Sequence, residues 1–242
     1  MEPKYMDKKE PNIADIISEL NSDSQEATIG AIKLKLSLFP VVGPLVNELL
    51  FDLPGRIRQG RINQFVVILG EMITKIDSEK INLDYIRSDE FFDLTTKVFE
   101  NSLKISTDAK RKALASVYSS AIADNKIINH DQQIIFADFI ATMTPAHIHI
   151  INFVSKNESK LVEIGTYENY FAVFNEHYPN FTIDKYAFKY YTTDLELKSL
   201  ISTGAGLGNF DDTSSISAWN DHKEPSIKLT TIGHLFLKFL GD

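Results

Sequence analysis

PGRIRQGRINQFVVILGEMITKI, residues 54–76, reads as one long amphipathic helix. Ile62, Phe65, Val66, Leu69, Met72, Ile73 and Ile76 recur at spacings of three and four, so they share one face. Proline at the start suits the first helical turn, where its missing N–H costs nothing. Arg56, Arg58 and Arg61 crowd the first turns of a chain that has only five arginines. They are the candidate binding residues. Guanidinium forks can hold phosphates or a carboxylate-bearing partner. They can also pair with acids on neighbouring helices, and that structural reading is the favoured one.

Upstream, residues 29–51 form the most apolar segment, broken by Pro40, Gly43 and Pro44. Ile32, Leu34, Leu36 and Leu38 alternate with polar residues in a strand-like way. No nearby turn supplies a pairing partner, so helix is preferred. The segment contains Lys33, Lys35, Asn47 and Glu48, which makes it a poor membrane span. Residues 1–28 read as a charged arm with room for a short helix at 13–20. That arm has no apolar signal core.

Downstream, residues 77–88 read as a connection with a helical turn. A helix is predicted over 89–103, with Phe92, Val98, Phe99 and Leu103 inward. Thr107 reads as an N-cap opening another helix, whose inward face is Leu114, Val117, Tyr118, Ala121 and Ile122. Asn129 or Asp131 caps a helix through Met143 that uses Ile134, Ile135, Phe136, Phe139 and Ile140. Thr144-Pro145 restarts the chain as an N-cap followed by proline, and the next helix carries Ile148, Ile151, Phe153 and Val154.

Beyond residue 156 aromatics become dense. One or two short helices lead to a third at TTDLELKSLIS, a helix that runs from Asp184 to Ile201 at its widest. A Gly- and Ser-rich stretch, a polar turn NDHKEP, a strand-like SIKLT and a closing helix TTIGHLFLKFL follow. Three helices, a hairpin and a final helix make a winged-helix-like order.

The charge balance bears on partners. The chain has a formal net charge of −8, and residues 145–242 set eight lysines and no arginine against twelve acidic residues, a balance of −4. The last predicted helix before the hairpin balances Lys185, Lys189 and Lys198 against Asp184, Asp194 and Glu196. A DNA-reading face is normally basic, so nucleic acid is disfavoured and a protein partner or self-association preferred. The absence of cysteine removes thiol nucleophiles, disulfides and cysteine metal sites, and fits a reducing compartment.

Catalytic signatures are missing. His147 and His149 stand two apart on a predicted helix and point in different directions, whereas helical metal pairs want a spacing near four. Gly204, Gly206 and Gly208 follow a helix rather than a strand, which suits a helix end better than a nucleotide loop. There is no GxSxG, and the carboxylates read as solvated helix faces and turns. The sequence therefore predicts no catalytic residue, no metal site and no cofactor.

Three stretches resemble bacterial abortive-infection alpha-type proteins. They are Pro40 to Gly43 with the arginine-bearing helix after it, Thr144 to Ile151, and Leu229 to Leu240 following Asp194 to Ile201. The resemblance implies a helical bacterial cytoplasmic protein linked to phage defence, with no catalytic residues to carry over.

The expected fold is mostly α, an N-terminal helical bundle followed by a small α+β winged-helix-like C-terminal module. The expected divisions are an arm at 1–28, a helical domain at 29–143 and the winged-helix-like module at 144–242. The expected function is non-catalytic binding or regulation through protein–protein contacts. A winged-helix DNA-binding regulator, and a membrane-active effector using residues 29–51, stand as alternatives.

Overall fold

The computed structural model describes residues 56–73, 75–123, 128–161, 167–203 and 227–241. The arm, the apolar segment 29–51, the glycines at 204, 206 and 208 and the turn NDHKEP all lie outside them. The described chain is mostly helical with one two-stranded sheet. It divides into two compact units, the first through Ala141 and the second from Thr142 to Leu240. Among the described residues no single helix is long and apolar enough to cross a membrane.

The first unit is built on α1 (Arg56–Ile73), α2 (Leu83–Ile86), α3 (Asp89–Lys104), α4 (Asp108–Ile122) and α5 (His130–Thr142). The periodicity that defined α1 also defines its buried face, since Ile62, Phe65, Val66, Leu69 and Ile73 are all fully buried. Met72 is half-buried, and Ile76 lies beyond the helix end. α1 packs against α4 and α3. At that junction Phe65 meets Phe99 edge to face at 5.5 Å, a favoured geometry for aromatic quadrupoles. Phe91 stacks on Tyr118 at 5.3 Å. The buried Tyr118 hydroxyl is satisfied by Thr95 Oγ1 at 2.9 Å, and Thr95 in turn donates to the Phe91 carbonyl at 2.7 Å.

Caps explain where these helices begin. Asn82 accepts from Tyr85 N at 3.0 Å, and Ser88 Oγ accepts from Phe91 N at 3.2 Å. Asn129 and Gln132 form a reciprocal capping box at 2.9 and 3.0 Å. Thr107 does stand at the N-cap of α4, but its side chain makes no cap bond.

Two inward assignments are corrected. Phe92 is 38% exposed, and Phe91 is the buried ring. The buried stripe of α3 runs Phe91, Leu94, Thr95, Val98, Ser102, which places Phe92 about 100° off that line. Ile135 is likewise 45% exposed, because Gln133, Phe136, Ala137 and Ile140 set the buried side of α5.

The second unit contains α6 (Pro145–Leu161), α7 (Tyr167–His177), α8 (Lys185–Leu197), β1 (Ile201–Ser202), β2 (Lys228–Leu229) and α9 (Thr231–Leu240). α6 is its spine, touching α7, α8 and β2. Phe153, Phe174 and Phe188 form a buried aromatic chain, with centroids 5.5 and 5.1 Å apart. Tyr170 is fully buried, and its hydroxyl donates to the Leu161 carbonyl at 2.7 Å and accepts from Ile227 N at 3.3 Å.

The expected reach of the third helix of this unit to Ile201 is also corrected. α8 ends at Leu197, and Ser199 turns left-handed with φ 56°. Ser199 N then donates to the Glu196 carbonyl at 2.8 Å and Leu200 N to the Leu195 carbonyl at 3.0 Å. That is the Schellman pattern, completed by the buried pair Leu195 and Leu200. The reversal delivers Ile201 into β1, opposite Leu229 of antiparallel β2.

Candidate interaction face

The arginine cluster is not gathered into one site. Arg56 and Arg58 are exposed at the start of α1. Arg61 reaches across to α3, where Nη1 donates to the Leu103 carbonyl at 2.7 Å. Leu103 lies in the last turn of α3, whose carbonyls lack helical partners. Arg111 does similar work next door, with Nη1 donating to the Ile105 carbonyl at 3.2 Å and Nη2 meeting Asp108 at 2.6 Å. Two arginines from different helices thus secure the α3–α4 turn. Arg61 is part of the architecture, apart from Arg56 and Arg58.

Three of the described histidines take structural roles. His147 is 5% exposed at the third position of α6. Its Nδ1 accepts from Thr144 N at 3.0 Å and lies 2.9 Å from Thr144 Oγ1. This is a capping box in which imidazole replaces the usual Glu or Gln. On its other side Nε2 lies 2.9 Å from Asp194 Oδ2 on α8. Tyr191 closes the site, edge to face at 4.8 Å. A Thr–His–Asp line suggests nucleophile activation, but that chemistry needs an imidazole lone pair directed at the hydroxyl. Here a backbone N–H already occupies Nδ1, so the arrangement anchors α8 to the start of α6.

His149 points elsewhere, against Tyr178 at 4.8 Å and Phe181 at 4.5 Å. Burial lowers its pKa. In the first unit His130 Nδ1 and Gln133 Oε1 each lie 2.9 Å from the Tyr85 hydroxyl. Tyr85 donates to the amide oxygen and accepts from the imidazole. Burial, then the charge of Glu90, push the Tyr85 pKa up to about 12. Among the described residues no group of three His, Asp or Glu could hold a metal ion.

The feature that sequence reading passed over is the outward side of α8. Tyr186, Tyr190 and Leu197 are 78%, 67% and 62% exposed, the three most exposed large hydrophobics among the described residues of the second unit. With Thr193, also exposed, they follow spacings of four, three and four and so form one stripe. Lys185 and Lys189 flank its N-terminal half, both exposed.

Each acid of this helix is engaged by a neighbour. Asp194 binds Lys198 through both oxygens at 2.7 Å and faces His147. Glu196 Oε1 accepts from the Thr203 hydroxyl at 2.6 Å and the Thr203 amide at 3.0 Å. Asp184 caps the helix, accepting from Ala187 N at 2.7 Å. A linear count makes α8 neutral, whereas the folded helix shows lysine and tyrosine outward. The four-residue step from Tyr186 to Tyr190 was visible in the sequence, but both rings were grouped with a generally aromatic region.

Comparison of the chain with known protein families, curated proteins and solved structures finds no match.

Proposed function

We propose that this chain is a non-catalytic binding or regulatory protein of the bacterial cytoplasm, working through protein–protein contacts in phage defence or growth arrest. In this reading the second unit is a winged-helix-like module and α8 carries its contact face. The observation that supports it most is the exposure of Tyr186, Tyr190 and Leu197 along one side of α8. Tyrosine is over-represented at interface hot spots because it buries much surface at low entropic cost. The resemblance to abortive-infection proteins supplies the biological setting. Retrieval of the full chain from its source cells should yield a stoichiometric protein partner that is lost in the Tyr186→Ala/Tyr190→Ala variant. A turnover activity abolished by one pocket substitution would overturn the proposal.

A second reading, a winged-helix DNA-binding regulator, draws on Lys185 and Lys189 standing outward while Asp194 and Glu196 are bound inward. It requires DNA affinity that falls steeply with salt and is lost in Lys185→Glu/Lys189→Glu.

A further inference from the structure

We infer that His147 is a proton-operated joint: neutral, its ring closes the cap of α6, and charged, it gives up that cap and turns to Asp194 of α8. This device lies within the second unit and is independent of what the chain binds.

The two states follow from the atoms around the ring. Thr144 N donates to Nδ1 at 3.0 Å, and only an unprotonated ring nitrogen can accept that bond. The neutral ring therefore carries its proton on Nε2. Nε2 lies 2.9 Å from Asp194 Oδ2 but off the N–H direction, so the two are close without a formed hydrogen bond. The ring is seated for the cap and not for the carboxylate. A second proton reverses that preference. Nδ1–H would then face the Thr144 N–H, donor against donor, while Thr144 Oγ1 at 2.9 Å can accept from it. At the far side the imidazolium gains a charge-assisted bond to Asp194.

The surroundings hold the two states in competition. Asp194 favours the charged ring. Lys198 opposes it, because its Nζ already binds both Asp194 oxygens at 2.7 Å. Burial of the ring also opposes charge. Tyr191 lies edge to face against the imidazole at 4.8 Å. On the elements packed with α6, Glu168 and His177 of α7 are turned to Lys185 and Phe153, and Lys228 of β2 is exposed. On α6 itself His149 is turned to Tyr178 and Phe181, and Glu158 to Leu229 N and His234. The cap is also where α6 has little in reserve. Pro145 has no N–H to offer, and the first helical bond, Ile148 N to the Thr144 carbonyl, is long at 3.3 Å.

The test is an NMR titration of the full chain from pH 8 to pH 5, with nitrogen-15 in the histidine rings and the threonine amides. His147→Gln assigns the ring signals. At pH 8 His147 should show one protonated and one bare nitrogen, with the proton on Nε2. As the ring takes up its second proton, the protection factor of the Thr144 amide should fall roughly two- to tenfold, the range for one neutral hydrogen bond. Asp194→Asn removes the group that favours the charge and should move this transition to lower pH. His147→Gln restores the usual capping-box acceptor without a titrating ring, so its Thr144 protection should not follow pH. A proton on Nδ1 at pH 8 overturns the inference, as does a ring that stays neutral until the unit unfolds. Thr144 protection that holds while the ring titrates overturns it as well, whether or not the variants fold.

Discussion

Gly233 lies so close under the Leu200 carbonyl that a Cβ on residue 233 would stand 1.9 Å from that oxygen. The approach is fixed by Thr230, whose amide donates to the same carbonyl at 3.1 Å. The Thr230 hydroxyl accepts from Gly233 N at 2.9 Å and so caps α9. Gly233→Ala is therefore expected to force α9 off the end of α8. A loss of about 3 kcal/mol, the upper range for overpacking, should appear as a clear fall in Tm. A melting curve unchanged from wild type would refute this close approach.

Ser199 holds the left-handed position that ends α8. A non-glycine residue is held there at a cost of about 1–2 kcal/mol. Ser199→Gly removes that cost and adds roughly 0.5–1 kcal/mol of chain entropy loss, leaving a net gain of about 0.5 kcal/mol. Ser199→Val, branched at Cβ, should destabilise. Chemical denaturation of the two variants side by side checks the opposite signs.

Arg61 and its two neighbours should separate in a stability assay. Arg61→Ala removes a charged donor from the Leu103 carbonyl and is expected to cost about 1.5–3 kcal/mol. Arg56→Ala and Arg58→Ala, at exposed positions, should stay within about 0.5 kcal/mol. Equal losses from all three would point to a shared role that the geometry does not show.

The second unit should lose stability in mild acid through His149. Its folded pKa lies below the ordinary 6.5 because burial disfavours the charged ring. As pH falls through 6.5 the unfolded chain takes up the proton before the folded one does. Stability from this group is complete above that pH and declines below it, levelling off beneath the folded pKa. Unfolding midpoints measured from pH 8 to pH 5 should show this slope, and His149→Phe should reduce it.

The sequence reading and the structure agree where burial is periodic. α1 was legible because its apolar residues have one helical phase and little competition. Phe91 and Phe92 were ambiguous because adjacent rings differ by one helical step, and only the packing of Leu94, Thr95 and Val98 selects between them. The end of α8 was misplaced because Ser199 takes a conformation that composition assigns to glycine, such as Gly204. The outward face was missed for a different reason. Net charge is a sum over residues, whereas a surface depends on which side each carboxylate is bound.

His147 and Asp194 divide α8 into two halves with different freedom to vary. The inward half is constrained by several partners at once, so a change at Asp194 would disturb Lys198 and the start of α6 together. The outward half is held by fewer contacts, among them Tyr190 edge to face on Tyr191 at 5.4 Å and Lys185 against Glu168 at 3.2 Å. Exchanges at the exposed Tyr186 or Tyr190 are expected to leave the helix seated. In the proposed reading, recognition could therefore be altered one surface residue at a time without reopening the folding problem.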